Sequence, residues 1–309
     1  MITIGKISLK SPLVLAPISG YTDSPFRKIA AKHGAGFTMT ELVSAEGIVR
    51  NIKNVVELMD FSDEERPLGI QIFGNRADVI AEAAAIAESL KPDFIDINMG
   101  CPARNVVGSG SGSALIVDPL KAESVADAVV RRVKIPVSVK IRIGWDDSSR
   151  NYMEVSKRLE GTGISFLIVH GRTRSQFYSG KADWNAITEI CSELKIPVIG
   201  NGDIISGKEA ELRISESGCS AVMTGRGALG NPWIFSGAEH DLSMMKSQLR
   251  EHYNLMVDYY GHRGIILMRK HSVKYIHNFK NASRVRSMMI RSENLDEIYE
   301  ALEILEDNK

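Results

Sequence analysis

Short apolar runs alternate with longer amphipathic stretches along most of this chain. Eight runs are nearly continuous in apolar residues: Leu13–Ala16, Phe37–Thr40, Gly69–Phe73, Phe94–Asn98, Val137–Ile141, Phe166–His170, Val198–Gly200 and Ala221–Thr224. Parallel strands buried on both faces read this way. Each run leads into a Gly-rich or polar turn and then a helical stretch. Asp78–Leu90 is rich in Ala and Glu, and Pro119–Val133 opens on Asp118-Pro119, an N-cap and first-turn pair. Trp184–Leu194 and Gly207–Ser217 supply two further helices. Eight strand–helix units over roughly 235 residues predict a (β/α)8 barrel, the TIM-barrel class of α/β fold.

The pattern changes after Pro232. From about Gly237 no strand signal remains, and Leu249–Tyr260, Ile265–Asn278 and Leu295–Leu305 read as three helices, with Asn281-Ala282-Ser283 as a break. The expected division is a catalytic barrel over 1–236 and a small helical domain over 237–309.

Bulk properties narrow the function classes. The 309 residues carry no net charge, so no global field draws in nucleic acid and any basic site must be local. Three cysteines, Cys101, Cys191 and Cys219, show neither metal-ligand spacing nor an even disulfide set, which fits a reducing cytoplasm and no metal site. No apolar run approaches the ~18 residues of a membrane span. The first residues lack a signal-peptide pattern, so a cytoplasmic enzyme with no membrane partner is expected. Nothing in the sequence marks an obligate protein partner.

In a barrel of this class the active site lies at the C-terminal ends of the strands. Those ends are polar here. Strand one ends in Pro17-Ile18-Ser19-Gly20 and strand two in Glu41, and Gln71 lies within strand three. Strand four gives Asn98 and Cys101, strand five Lys140 and Arg142, strand six His170-Gly171-Arg172-Thr173. The last two strands run into Asn201-Gly202-Asp203 and Gly225-Arg226-Gly227. A phosphate site after strands seven and eight recurs in such barrels, and the glycines let backbone N–H groups approach an anion while Arg226 adds charge. Lys140 and His170 then point at whatever the phosphate anchors. Pro102 stops strand four, which leaves Cys101 at the strand end facing a pocket. The following Gly108-Ser109-Gly110-Ser111-Gly112-Ser113 reads as a mobile loop.

Three chemistries suit these residues. One is a flavin oxidoreductase with Cys101 as proton donor, since an unperturbed thiol near pKa ~8.5 is protonated at neutral pH. A lyase or aldolase would use Lys140 as a Schiff-base nucleophile, and a hydrolase would use Cys101 activated by His170. The hydrolase needs no phosphate site, and the aldolase leaves Cys101 without a role.

Six stretches together resemble the tRNA-dihydrouridine synthases, most of all the bacterial B-type group. They are Ala16–Arg27, Asp96–Ala103, Val139–Arg142, His170–Arg174, Gly200–Asp203 and Thr224–Arg226; Arg269-Lys270-His271 also resembles that family's helical-domain signature. The resemblance implies an FMN enzyme that uses NADPH to reduce one uridine of tRNA to 5,6-dihydrouridine. FMN would be held by Pro17, Ile18, Ser19, Gln71, Lys140, His170, Asn201, Gly202, Asp203, Gly225 and Arg226. Hydride would pass to C6 of uracil and Cys101 would protonate C5, with Asn98 and Arg172 on the substrate. The same reaction on ribosomal RNA, or reduction of a small pyrimidine, is the alternative.

An RNA partner also has support from charge alone. Arg263 to Arg291 holds eight Lys or Arg and no Asp or Glu, whereas Glu293–Asp307 is acidic. Lys270 and Lys274 lie one helical turn apart, with His277 close by. A block this long without acid suits phosphate contacts.

Overall fold

The computed structural model describes residues 2–277 and 279–307, and in it the eight predicted strands form one barrel. A short antiparallel hairpin precedes them, β1 (Ile2–Ile4) and β2 (Ile7–Leu9). Then come β3 (Leu13–Leu15), β4 (Thr38–Met39) with a brief extension β5 (Val43–Ser44), β6 (Leu68–Phe73) and β7 (Phe94–Met99). The rest are β8 (Val137–Arg142), β9 (Phe166–His170), β10 (Val198–Asn201) and β11 (Ala221–Thr224). Pairing is parallel along the path β3-β11-β10-β9-β8-β7-β6-β4. The last gap, between β3 and β4, closes through two backbone bonds, Leu15 N to Phe37 O at 3.1 Å and Gly36 N to Leu13 O at 2.8 Å.

Strand alternation sorts the side chains into layers. On β7, Ile95, Ile97 and Met99 join the outer core beneath the helices, while Phe94, Asp96 and Asn98 take the other face. Register sets these beside Ser138, Lys140 and Arg142 of β8 and beside Phe166, Ile168 and His170 of β9. The interior therefore runs from aromatic at the strand starts to polar at the strand ends. Phe37, Phe94 and Phe166 form the lowest layer, with ring centroids 5.1 to 6.1 Å apart. Such pairs contribute about 0.5–1.5 kcal/mol each beyond the area they bury. Ile4, Ile7 and Leu9 of the hairpin pack into that same layer and floor the barrel.

The outer helices follow their sequence signals. The predicted Asp78–Leu90 is Ala77–Ser89, and its buried Ala83, Ala84 and Ala87 let it lie close on the sheet. Asp118 caps Pro119–Arg132 by accepting from Lys121 N. The segment read as a mobile Gly/Ser loop is folded instead. A short helix, Arg104–Gly108, is followed by a 3-10 turn over Gly112–Val117, with Ser111 and Ser113 buried. Local composition missed this because the stretch is held by hydrogen bonds to Val106 and to the Cys101 carbonyl, which its Gly and Ser content does not signal.

Beyond the barrel, four helices appear among the described residues where three were expected: Leu242–Tyr260, Arg263–Tyr275, Ala282–Arg291 and Leu295–Glu303. The expected end of the second helix at Asn278 lies outside the described residues. Asn281 does break the chain, in a left-handed conformation, but Ala282 then starts a helix whose Val285 and Met289 are buried. These helices gather a second core around Leu249, Tyr253, Met268 and Ile298, and Trp233 already belongs to it. No described helix is long and apolar enough to cross a membrane.

Candidate active site at the barrel rim

The strand ends enclose a cavity of about 830 Å³. Every residue assigned from the sequence to cofactor or substrate lines it, with Lys270 as the one exception; Glu41, at the end of strand two, does not line it. A volume of this size suits a cofactor together with a flat substrate.

Cys101 sits in a turn that is held from every side. Asn98 Oδ1 accepts from Gly100 N at 3.2 Å and from Cys101 N at 2.9 Å. Arg142 donates to Gly100 O at 2.8 Å, and Ser113 donates to Cys101 O through both its amide (3.0 Å) and its hydroxyl (2.9 Å). Gly112 presses on the same carbonyl at φ +60°, where an added Cβ would stand 2.8 Å from Cys101 O. Only glycine fits both that angle and that approach. Burial raises the Cys101 thiol, although the Ala103 amide, Arg142 and Lys140 pull the other way, so the thiol stays protonated at neutral pH. Among the described residues its sulfur makes no hydrogen bond with His170.

Below the turn lies a buried polar chain. Gln71 Oε1 accepts from Asn98 Nδ2 at 2.8 Å, and Gln71 Nε2 donates to Asp96 at 2.7 Å. Ser138 donates to the other Asp96 oxygen at 2.6 Å. Burial pushes Asp96 up to about 7 against those hydrogen bonds and the charge of Lys140. Lys140 itself is brought down to about 8 by burial and by Arg142, and donates to Asn201 Oδ1 at 3.0 Å.

His170 is kept neutral, since burial and the cations Lys140, Arg142 and Arg172 all lower it well below the ordinary value. Arg172 can only donate, so His170 Nε2, 3.4 Å from its guanidinium, is the acceptor and Nδ1 carries the proton. Arg172 is almost wholly buried, and its other bonds go to both oxygens of Asp203 and to the carbonyls of Ser179 and Gly180. Its guanidinium is thus committed within the protein. Burial works against the Asp203 charge, but the Ala182 amide and Arg172 hold that carboxyl below its usual range, with Arg226 3.5 Å away.

The two glycine turns leave backbone donors open. The amides of Gly202, Asp203, Gly225 and Arg226 make no hydrogen bond with the described residues. Buried or half-buried N–H groups are almost always paired, so the open ones of Gly202, Asp203 and Gly225, with that of exposed Arg226 beside them, form a ready anion cradle. The adjoining wall, Pro17 to Ser19 after β3, is set by Ile18 N donating to Thr22 Oγ1 and by Gly20 N donating to Glu41. Arg27, paired with the buried Glu65 at 2.6 Å, fixes the Thr22 carbonyl in turn.

The family model described as Dihydrouridine synthase (Dus) matches residues 14–308. This chain belongs to the dihydrouridine synthase family. Curated relatives agree over nearly full length. The "Probable tRNA-dihydrouridine synthase" of Rickettsia conorii is 40% identical over 93% of this chain and 90% of its own. The "tRNA-dihydrouridine synthase B" of Pseudomonas aeruginosa is 37% identical over 96% and 93%. As a dihydrouridine synthase family member the protein is an enzyme, an oxidoreductase. Two solved structures share its architecture at low identity. Histamine dehydrogenase from Rhizobium sp. 4-9 has a TM-score of 0.57 at 12% identity, covering 82% of this chain and 50% of that one. A 2-naphthoyl-CoA reductase has a TM-score of 0.60 at 11% identity, covering 76% and 50%. This chain spans half the length of each, and the likeness concerns the barrel fold alone.

Within the dihydrouridine synthase site, sequence reasoning overlooked Asp96 and Ser138 as supports of the rim. Both sit one step down a strand from a residue that was recognised, so alternation was the available signal. Lys270 is the reverse case. Its ammonium lies 5.5 Å from the Tyr21 ring centroid, outside the cavity, while exposed Lys274 reaches the cavity edge. Lys280 is paired with Glu306 at 2.7 Å, which removes one cation from the basic block. Cys191 and Cys219 bring their sulfurs to 3.3 Å as free thiols, across 28 residues of sequence.

Proposed function

We propose that this protein reduces a uridine of tRNA to 5,6-dihydrouridine, using FMN as the bound cofactor and NADPH as reductant. The observation that carries the reading is one cavity that holds both the four open turn amides and a protonated thiol. The residues present fit an FMN. The amides of Gly202, Asp203, Gly225 and Arg226 would take the phosphate, with Asn201 and the Arg226 charge beside them. Pro17, Ile18, Ser19 and Gln71 would bound the ring, and neutral His170 would contact it. Lys140 would supply the positive charge that favours an electron-rich ring. When bound, the flavin supplies a hydride to C6 of uracil.

Cys101 gives its proton to C5 and leaves as a thiolate, which Arg142 and Lys140 stabilise. The open N–H of Asn98 faces the uracil. Arg172 acts through Asp203 and His170, holding the turns that the substrate meets. A base inside folded RNA cannot reach a thiol at this depth, so the uridine is flipped into the cavity. The region 237–309, with Lys274 at the rim and Lys270 behind it, holds the RNA backbone, and 1–236 performs the chemistry. The relatives' names support tRNA as the RNA class.

Two measurements test this. Protein released from its cofactor by heat should yield FMN, with no FAD, on chromatography. Nucleoside mass analysis should find dihydrouridine in tRNA of cells carrying the gene and a loss on deletion. Colourless protein that takes up no added FMN would refute the cofactor, and unchanged tRNA dihydrouridine with altered ribosomal RNA would refute the substrate.

A further inference from the structure

We infer that Asp96 is a positioning residue that fixes the direction of a hydrogen-bond relay ending at Cys101. It deepens the reading above, on which only its catalytic consequence rests. Asp96 is wholly buried on β7, two residues below Asn98. Its two oxygens receive Ser138 Oγ at 2.6 Å and Gln71 Nε2 at 2.7 Å. Both oxygens accept, as those of an ionised carboxylate must. Gln71 must therefore turn its N–H₂ end toward Asp96 and its oxygen toward Asn98. That oxygen obliges Asn98 to donate, through Nδ2 at 2.8 Å. Asn98 Oδ1 is then the atom left to meet the amides of Gly100 and Cys101, and it accepts both.

Turning the two amides over together would keep their mutual bond but oppose like groups at both ends of the chain. The Gln71 oxygen would face the carboxylate, and the Asn98 N–H₂ would face the N–H groups of 100 and 101. An amide side chain is nearly symmetric in shape, so packing alone does not choose between the orientations. The acceptor-only group at the foot and the donor-only amides at the head make the choice together. Gln71 and Asn98 both line the cavity, so the same choice bears on what its wall presents to a ligand.

Ser138 provides the internal control. It binds the same carboxylate but stands outside the relay, so its loss removes a hydrogen bond without releasing Gln71.

The test is the rate of Cys101 alkylation by iodoacetamide in the purified protein, read by peptide mass spectrometry so that Cys191 and Cys219 do not contribute. It needs neither RNA nor reductant, so its failure is separate from failure of the proposed reaction. Asp96→Leu and Gln71→Leu should each speed alkylation about fivefold, the weight of one hydrogen bond. The double variant should be no faster than either single, because the two act in series. Asp96→Asn retains an oxygen for Gln71 and should restore the native rate, and Ser138→Ala should leave it unchanged. A native rate in folded Asp96→Leu, multiplying effects in the double variant, or equal acceleration by Ser138→Ala would each overturn the relay. If Asp96→Leu does not fold, Gln71→Leu and Asp96→Asn carry the test. A native rate in Gln71→Leu, or an Asp96→Asn rate as fast as Gln71→Leu's, then overturns it.

Discussion

The barrel rim and the seam between barrel and helical region treat buried polar groups in opposite ways. At the rim, Asp96, Gln71, Asn98, Arg142 and Arg172 all have protein partners at hydrogen-bond distance. At the seam, His252 and His271 are fully buried, yet His252 Nε2 and both nitrogens of His271 have no partner among the described residues. Their surroundings are aromatic. His271 packs edge-on to Tyr21 at 5.2 Å, and His252 stacks on Phe26 at 5.7 Å. Asp23, the cap of helix Ser24–Lys32, is the acid nearby, with ligand atoms of all three within 4.8 Å. Side chains bonded in this way have one low-energy arrangement, whereas a seam of unpaired imidazoles is held by packing and by staying neutral. The rim is therefore pre-set for chemistry, and the seam responds to conditions.

Breaking the rim at its reactive atom should give the largest effect. Cys101→Ala should slow flavin reoxidation by RNA by about 10²–10⁴-fold, the usual contribution of a positioned general acid. Flavin reduction by NADPH should stay near normal, and single-turnover absorbance traces of the two half-reactions separate these outcomes. Equal slowing of both would mean the rim is less rigid than described.

Acid should act on the seam next. Burial lowers His252 from 6.5 to about 3 and His271 in the same direction, with Lys270 adding to both and the two rings repelling each other when charged. A depressed folded pKa means stability that is complete above 6.5 and drains away as pH falls toward the folded value. Each such group costs about 1.4 kcal/mol per pH unit in that window. Asp23, raised to about 6 mainly by burial, returns some stability as pH falls from 6 to its ordinary 3.8, but one carboxyl opposes two imidazoles. In the barrel, His170 and Asp96 shift in opposing senses one against one. Hydrogen exchange at pH 7 and 4.5, corrected for intrinsic rates, should show Arg263–Tyr275 losing protection well before β7. Equal loss would erase the contrast.

The smallest effect sharpens the seam's outer edge. Lys274→Ala should reduce the slope of log affinity for tRNA against log salt by about one, as expected for one phosphate contact. Lys270→Ala should change that slope less, because its ammonium rests on the Tyr21 ring. A filter-binding salt series decides it, and equal slopes would place both lysines on the RNA.

The same contrast explains what the sequence could tell. Strand limits were legible to within about one residue in most cases, because a parallel strand must be apolar on both faces and chain order alone assigns its neighbour. Rim residues followed from standing at the strand ends. The hairpin Ile2–Leu9 was missed although Ile4, Ile7 and Leu9 mark it, since three-residue strands fall below any periodicity test. Helix Ala282–Arg291 hid behind Asn281 and its own arginines, with only Ala282, Val285 and Met289 on its buried face. The Asp96 relay, the Arg172–Asp203 pairing and the Cys191–Cys219 contact join residues 25 to 31 positions apart. No local pattern encodes a bond between two strands' side chains; the barrel must close first.

The floor of the barrel bears on kinetics. With Ile4, Ile7 and Leu9 seated over the phenylalanine layer, the interior opens at the strand-end mouth and not at the other end. On the proposed function, electron donor and RNA would share one doorway, and neither could reach the reactive centre while the other stood in it. Occupancy becomes a matter of turns. Initial-rate plots at several fixed RNA concentrations should run parallel, and each partner in excess should inhibit by blocking the other's entry.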